Sequence, residues 1–284
     1  MIVYFNGEYL HLDEVKVSPF DRGFQFADGV YEVLRTYNGK LFRFESHMKR
    51  LEFSLSELNI NFKVQDEFET ISIKLAEMNK LLNHNFSVYI QITRGVQFPR
   101  KQNYENNLSP TVFVSVSKLK DISYQHKRGV KVILEKDIRW ARCDIKSIAL
   151  LPSIMAKTRA IKSDAYDSIF HRENLITEGS HTNFFAVKNN IIYTAPLSNF
   201  ILEGITREVI INLCKKNKIK IVEDYVKLDD ILQYDEFFIT GTLTEITPVV
   251  QIDNFIIGNG SPGKLTILLQ KYFYEYINST NSIR

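Results

Sequence analysis

Lys146, in the stretch Cys-Asp-Ile-Lys-Ser-Ile, stands in mostly apolar surroundings between a strand and a helix. A lysine so placed could be a desolvated amine that condenses with a carbonyl carbon to form a Schiff base. The alternative is a lysine snorkelling out of a half-buried segment. Glu178, in Leu-Ile-Thr-Glu-Gly-Ser, lies where a strand end runs into a turn. A carboxylate fixed there could hold a proton on a heteroaromatic nitrogen, or it could simply be solvated. Gly204-Ile205-Thr206-Arg207 opens a helix, whose free N–H groups bind an anion or form an ordinary capped start. Gly241-Thr242 follows an apolar strand and offers a hydroxyl and close backbone approach, as does any plain turn. Arg50 lies beside the Met48/Leu51 stripe of a helix, which allows it to point into a cleft or out to water.

Other chemistries find little support. The six histidines are isolated, and Cys143 and Cys214 are far apart with no further thiol, so no metal site and no disulfide framework is expected. No nucleotide-type glycine loop, His-Glu-x-x-His or Gly-x-Ser-x-Gly is present. The net charge of +3 comes from 36 basic and 33 acidic side chains without a basic block, which argues against nucleic acid as a partner. The N-terminus lacks a basic region ahead of an apolar one, and no apolar run nears the roughly 18 residues of a membrane span. A reducing cytoplasm, away from any membrane, is the expected setting.

The elements that must position these residues can be read in order. Asn6-Gly7 and Asn38-Gly39 each sit between β-rich runs and predict hairpins, with residues 30–37 as the strand feeding the second. Apolar positions spaced by three and four predict helices at about 45–58 and about 66–82, the second through Phe68, Ile71, Leu75, Met78 and Leu82. Strict alternation predicts strands at 86–93 and 111–117, joined by a long polar loop, 95–109, that carries Arg100 and Lys101. The polar stretch 118–128 reads as a linker between residues 1–120 and 121–284. Beyond it come strands at 129–138, near 166–171, 182–187, 191–194, 219–226 and 236–240. Helices are expected at about 151–163, 204–217 and 264–278. Hairpins and helices without a regular βαβ repeat point to an α+β fold of two domains.

Six segments in order resemble the fold-type IV pyridoxal-phosphate enzymes, which comprise branched-chain aminotransferases, D-amino-acid aminotransferases and aminodeoxychorismate lyases. They are Asp21-Arg-Gly-Phe-Gln-Phe-Ala-Asp-Gly-Val-Tyr-Glu-Val, His47-x-x-Arg50-Leu51, Arg139-Trp-Ala-Arg-Cys-Asp-Ile-Lys-Ser, Thr177-Glu-Gly-Ser-x-x-Asn183, Gly204-Ile-Thr-Arg and Thr244-Glu-Ile-Thr-Pro. Tyr31-Glu-Val, the Lys146 segment, and Thr93-Arg-Gly followed by Pro99-Arg100 are most similar to the bacterial D-amino-acid branch. The resemblance implies a smaller α/β N-terminal domain, a larger barrel-like C-terminal domain, pyridoxal 5'-phosphate held between them, and a homodimer with shared active sites. It implies that Lys146 forms the Schiff base and shuttles the substrate proton, and that Glu178 pairs with the pyridine nitrogen. Arg50, the amides of Ile205 and Thr206 and the hydroxyl of Thr242 would clamp the phosphate, with Leu202 against the ring. Tyr31 and the partner subunit's Arg100 would hold the substrate carboxylate, and Val33 would line the side-chain pocket.

Three positions depart from the branch pattern. Gln102 stands where the branch has a histidine, Arg100 follows Gly95 by one residue more, and Ala149 replaces a frequent asparagine. The implied reaction passes an amino group from a D-alanine-type donor to 2-oxoglutarate. The alternatives are branched-chain L-amino-acid transamination, aminodeoxychorismate lyase chemistry, and a non-enzymatic scaffold on a degenerate fold.

Overall fold

A computed structural model describes residues 1–64 and 67–281. It divides into two compact units, one of residues 1–120 with 145–150 and one of residues 121–144 with 151–284. Fold class is α+β throughout.

In the first unit, β1 (Ile2–Phe5) and β2 (Glu8–His11) are joined at Asn6-Gly7. A five-residue helix, α1 (Arg22–Phe26), leads into β3 (Gly29–Tyr37), which turns at Asn38-Gly39 into β4 (Lys40–Leu41). All four turn residues have positive φ, between 49° and 100°, the requirement that makes Asn-Gly a hairpin signal. Two helices follow, α2 (Phe44–Glu57) and α3 (Glu67–Met78), then β5 (Phe86–Thr93) and β6 (Thr111–Lys118). The sheet runs β2-β1-β6-β5-β3-β4, and the inward residues of β5 and β6 pack with Met48, Leu51, Leu55, Phe68, Ile71 and Leu75.

Helix α3 is shorter than its spacing predicts, and its expected start at position 66 lies outside the described residues. At its other end Lys80 adopts φ +59° while the Leu81 amide bonds back to the Ala76 carbonyl, a left-handed stop that a repeating apolar pattern does not reveal. Met78 and Leu82 are consequently exposed rather than core.

The second unit begins with a short helix, α4 (Ser123–Arg128), inside the stretch expected to be a linker. Then come β7 (Val130–Lys136), α5 (Leu151–Lys162), β8 (Asp167–Arg172), β9 (Leu175–Gly179), β10 (Asn183–Lys188) and β11 (Ile191–Thr194). They are followed by α6 (Ile205–Lys216), β12 (Ile221–Glu223), β13 (Glu236–Gly241), β14 (Glu245–Ile252), β15 (Phe255–Ile256) and α7 (Lys264–Asn281). Pairings run β10-β13-β14-β7-β8-β9, and β9 pairs back onto β10 through Glu178 and Asn183, which closes a barrel-like sheet. Phe185 and Phe238, direct partners on β10 and β13, stack with centroids 4.7 Å apart. Such pairs contribute about 0.5–1.5 kcal/mol beyond their burial. The strand expected at 219–226 spans only β12.

Segment 145–150 packs in the first unit although sequence position assigns it to the second half. The Tyr31 amide donates to the Lys146 carbonyl and the Ile148 amide to the Gly29 carbonyl, so the segment lies along the start of β3.

Candidate active site

Lys146 is fixed through its backbone. Ile145 is buried in the first unit's core, the Lys146 amide donates to Ser54 Oγ of α2 at 3.1 Å, and its carbonyl accepts from Tyr31. The side chain is half-buried, with Nζ 4.2 Å from the centroid of the Tyr31 ring. Along β3, alternation turns Val30, Glu32 and Leu34 into the core and leaves Tyr31 and Val33 on the less buried face. Tyr89, the cross-strand partner of Val33, packs its ring against Tyr31, and burial together with Tyr31 pushes its phenol up to about 12.

Arg50 directs Nε to Glu32 Oε1 at 2.7 Å and Nη2 to Glu32 Oε2 at 3.0 Å, a two-bond fork on a fully buried carboxylate. His47 Nδ1 lies 2.8 Å from the same Oε2. Burial alone would raise the Glu32 carboxyl; Arg50 and His47 outweigh it and hold it well below the usual carboxylate range. Burial lowers His47 below the ordinary histidine value, with Arg50 and Lys146 acting in the same sense against Glu32. An ionised Glu32 only accepts, so the histidine proton sits on Nδ1, and Nε2 is left buried without a partner. The family resemblance implies a phosphate contact for Arg50 and gives Glu32 no role. The signal was present: Glu32 is in phase with Val30 and Leu34, and a carboxylate on a core face needs a cation.

In the second unit, Glu178 sits near the end of β9. Oε1 accepts from Arg139 Nη1 at 2.7 Å; Oε2 accepts from Asn183 Nδ2 and from the Leu202 amide, both at 3.0 Å. Asn183 also donates to the Leu202 carbonyl, so one amide side chain ties β9, β10 and the 202 loop together. Burial pushes Glu178 up from the ordinary carboxylate value, and Arg139 and the Leu202 amide pull it only part of the way back. The turn after β9 is pinned by Asp167, which accepts from Ser180 Oγ at 2.5 Å and Thr182 Oγ1 at 2.9 Å.

Helix α6 starts immediately beyond Leu202. Its N-cap is Gly204, so no side chain caps it, and a Cβ at this position would collide with Asn183 Oδ1. The first amides of a helix have no intrahelical acceptor, so those of Ile205 and Thr206 are available to an anion. Thr242 is half-buried in the turn after β13. Arg100 and Gln102 are exposed on loop 95–109, with the Arg100 guanidinium 4.5 Å from the centroid of the Phe26 ring.

Comparison with known proteins places the chain. Residues 29–252 match the family described as Amino-transferase class IV. D-alanine aminotransferase of Bacillus licheniformis is 40% identical over 267 residues, 94% of this chain and 93% of that protein. The protein of the same name from Staphylococcus aureus strain N315 is 40% identical over 280 residues, 98% of each. Among solved structures, the branched-chain amino acid aminotransferase of Escherichia coli superposes with a TM-score of 0.89 at 24% identity, over 97% of this chain and 94% of that one, which speaks to fold alone.

The chain is a class IV aminotransferase.

Enzymes of this family use pyridoxal 5'-phosphate, and the residues of this aminotransferase fit that group. It offers an amine held by its own backbone, a buried carboxylate whose compensation is incomplete, and an uncapped helix start cleared by glycine. Among the described residues no helix is long and apolar enough to cross a membrane.

Proposed function

We propose that this aminotransferase moves the amino group of a D-alanine-type donor to a 2-oxo acid such as 2-oxoglutarate, giving pyruvate and D-glutamate. Lys146 supports the reading most strongly: its backbone is fixed by Ser54 and Tyr31 in a chain 40% identical to D-alanine aminotransferases over nearly its whole length.

When bound, pyridoxal phosphate supplies an electrophilic carbon for the substrate amine and an electron-withdrawing ring that spreads the charge left at Cα. Lys146 Nζ takes the proton from Cα, and the Tyr31 ring beside it holds the ammonium so formed. Glu178 keeps a proton on the ring nitrogen. Its negative charge lacks full compensation from Arg139, so a cation at that nitrogen lowers its energy. The Ile205 and Thr206 amides, Thr242 and Arg50 would hold the phosphate, and Leu202 would pack against the ring. Tyr31 and Val33 recognise the substrate together with the partner subunit's Arg100, a cationic donor for its carboxylate, and with Gln102, a neutral one.

The same reading includes two copies sharing their sites, working in the cytoplasm. Phe24 on α1 and Phe98 on the recognition loop, 74% and 73% exposed, suit burial against a second copy. Light scattering should give twice 33.1 kDa.

The decisive assay is the half-reaction. Loss of the bound cofactor's visible band with D-alanine, and not with L-alanine or L-leucine, supports the proposal. Turnover of L-leucine without D-alanine, or pyruvate release from aminodeoxychorismate, overturns it.

A further inference from the structure

The segment Asp21-Arg22-Gly23 belongs to the family pattern, yet it carries no group assigned to the cofactor or the substrate. Asp21 is buried, caps α1 by accepting from the Gly23 amide, and takes hydrogen bonds from the hydroxyls of Thr93 and Thr111. It thereby fixes α1 to the ends of β5 and β6, the two strands from which loop 95–109 springs.

Arg22, next in line, is 4% exposed, and its guanidinium is spent almost wholly on that loop. Nη1 donates to Gln97 Oε1 at 3.1 Å, to the Lys101 carbonyl at 2.8 Å and to the Asn103 carbonyl at 3.4 Å; Nη2 donates to the Gln102 carbonyl at 3.1 Å. Gln97, itself buried, braces the loop from within through Nε2 to the Asn103 carbonyl. Nε of Arg22 goes to Asp28, which is also forked by Arg94, and the Arg94 guanidinium lies 3.7 Å from the centroid of the Tyr104 ring. Phe26 sits under the guanidinia of both Arg22 and Arg100.

Within one chain residues 98–107 are all exposed, so burial against the chain's own core does little to shape this loop. Buried polar bonds do, and three of the acceptors are main-chain carbonyls immediately after Arg100. A carbonyl is present whatever the side chain, so the path of the loop survives changes of side chain such as Gln102 while the recognition chemistry varies.

We propose that Arg22 is a positioning residue for substrate recognition: it sets the path of the loop and so the aim of Arg100 and Gln102. This rests on the reading that those two side chains meet the substrate carboxylate. Lysine cannot replace it, since a single ammonium does not span acceptors that flank a planar fork.

The test uses the holoenzyme and its Arg22→Lys variant, with Gln97→Ala as a second cut that leaves α1 intact. KM for whichever enantiomer the wild type consumes should rise at least about tenfold, with kcat within about threefold and the cofactor's visible spectrum unchanged. Hydrogen exchange at the amide of residue 97, which donates to the Phe20 carbonyl at the root of the loop, should accelerate at least about tenfold in the apo and loaded protein alike. Unchanged exchange in both variants overturns the tether, and it does so independently of which amino acid is the substrate. Faster exchange with KM unmoved overturns the recognition role. A wild type that consumes only L-amino acids would sink the function proposed above, while the exchange and KM arms would still judge Arg22.

Discussion

Two buried carboxylates, one in each unit, are both bonded to an arginine, and they are driven in opposite directions. Glu32 receives the fork of Arg50 through two nitrogens and a histidine besides, and its carboxyl is held far down. Glu178 receives one nitrogen of Arg139, because the other two, Nε and Nη2, are engaged with Asp137. Its remaining partners are a neutral amide side chain and a main-chain N–H. Burial therefore wins at Glu178 and loses at Glu32. A carboxylate neutralised in place serves the fold; one left short of positive charge is ready for a cation brought by something else.

Substitution should separate the two roles. Glu32→Gln leaves Arg50 buried without its counter-charge and should destabilise the apo protein by about 3–5 kcal/mol, read by urea unfolding. Glu178→Gln should leave apo stability within about 1 kcal/mol of wild type, since the ionised form is already disfavoured there. Its kcat should fall at least about 10²-fold, the scale seen when one charge-stabilising group is removed from a site. Equal losses of stability in the two variants would erase the contrast.

Acid titration sharpens it. The native Glu32 value lies below the unfolded one, so its contribution is fully present above the ordinary carboxylate value of 4.5 and is lost as pH falls through the native value. Glu178 has the opposite sign: its ionisation costs native stability as pH rises through 4.5 and beyond. Between pH 7 and 3 the stability gap between wild type and Glu32→Gln should narrow, whereas wild type should gain on Glu178→Gln. The smallest effect belongs to Arg139→Lys, which keeps the charge and loses the shared geometry. There kcat should fall about tenfold, the equivalent of one charge-assisted hydrogen bond of ~1.5 kcal/mol.

What could be read in advance follows the same division between local and long-range causes. Asn6-Gly7, Asn38-Gly39, the alternation of β5 and β6 and the stripe of α2 are local signals, and they predicted their elements closely. Strand β14 escaped because residues 245–249 are buried on both faces, so no alternation exists, and Pro248 argues against a central strand. The early stop of α3 at Lys80 and the return of residues 145–150 to the first unit depend on partners distant in sequence. For the site, Lys146, Glu178 and the α6 start each have a plainer reading by residue type and neighbourhood, and only the family resemblance gives them roles. The fork of Arg50 on Glu32 and the grip of Asn183 on Glu178 and Leu202 needed the folded chain, since each joins separate elements.

Schiff-base chemistry in this enzyme depends first on the amine of Lys146. Borohydride reduction of the cofactor-loaded enzyme, followed by peptide mass spectrometry, should place the pyridoxyl mass on the peptide containing Lys146 and on no other. Recovery of that mass on a different lysine, Lys157 for instance, or on none, would contradict it.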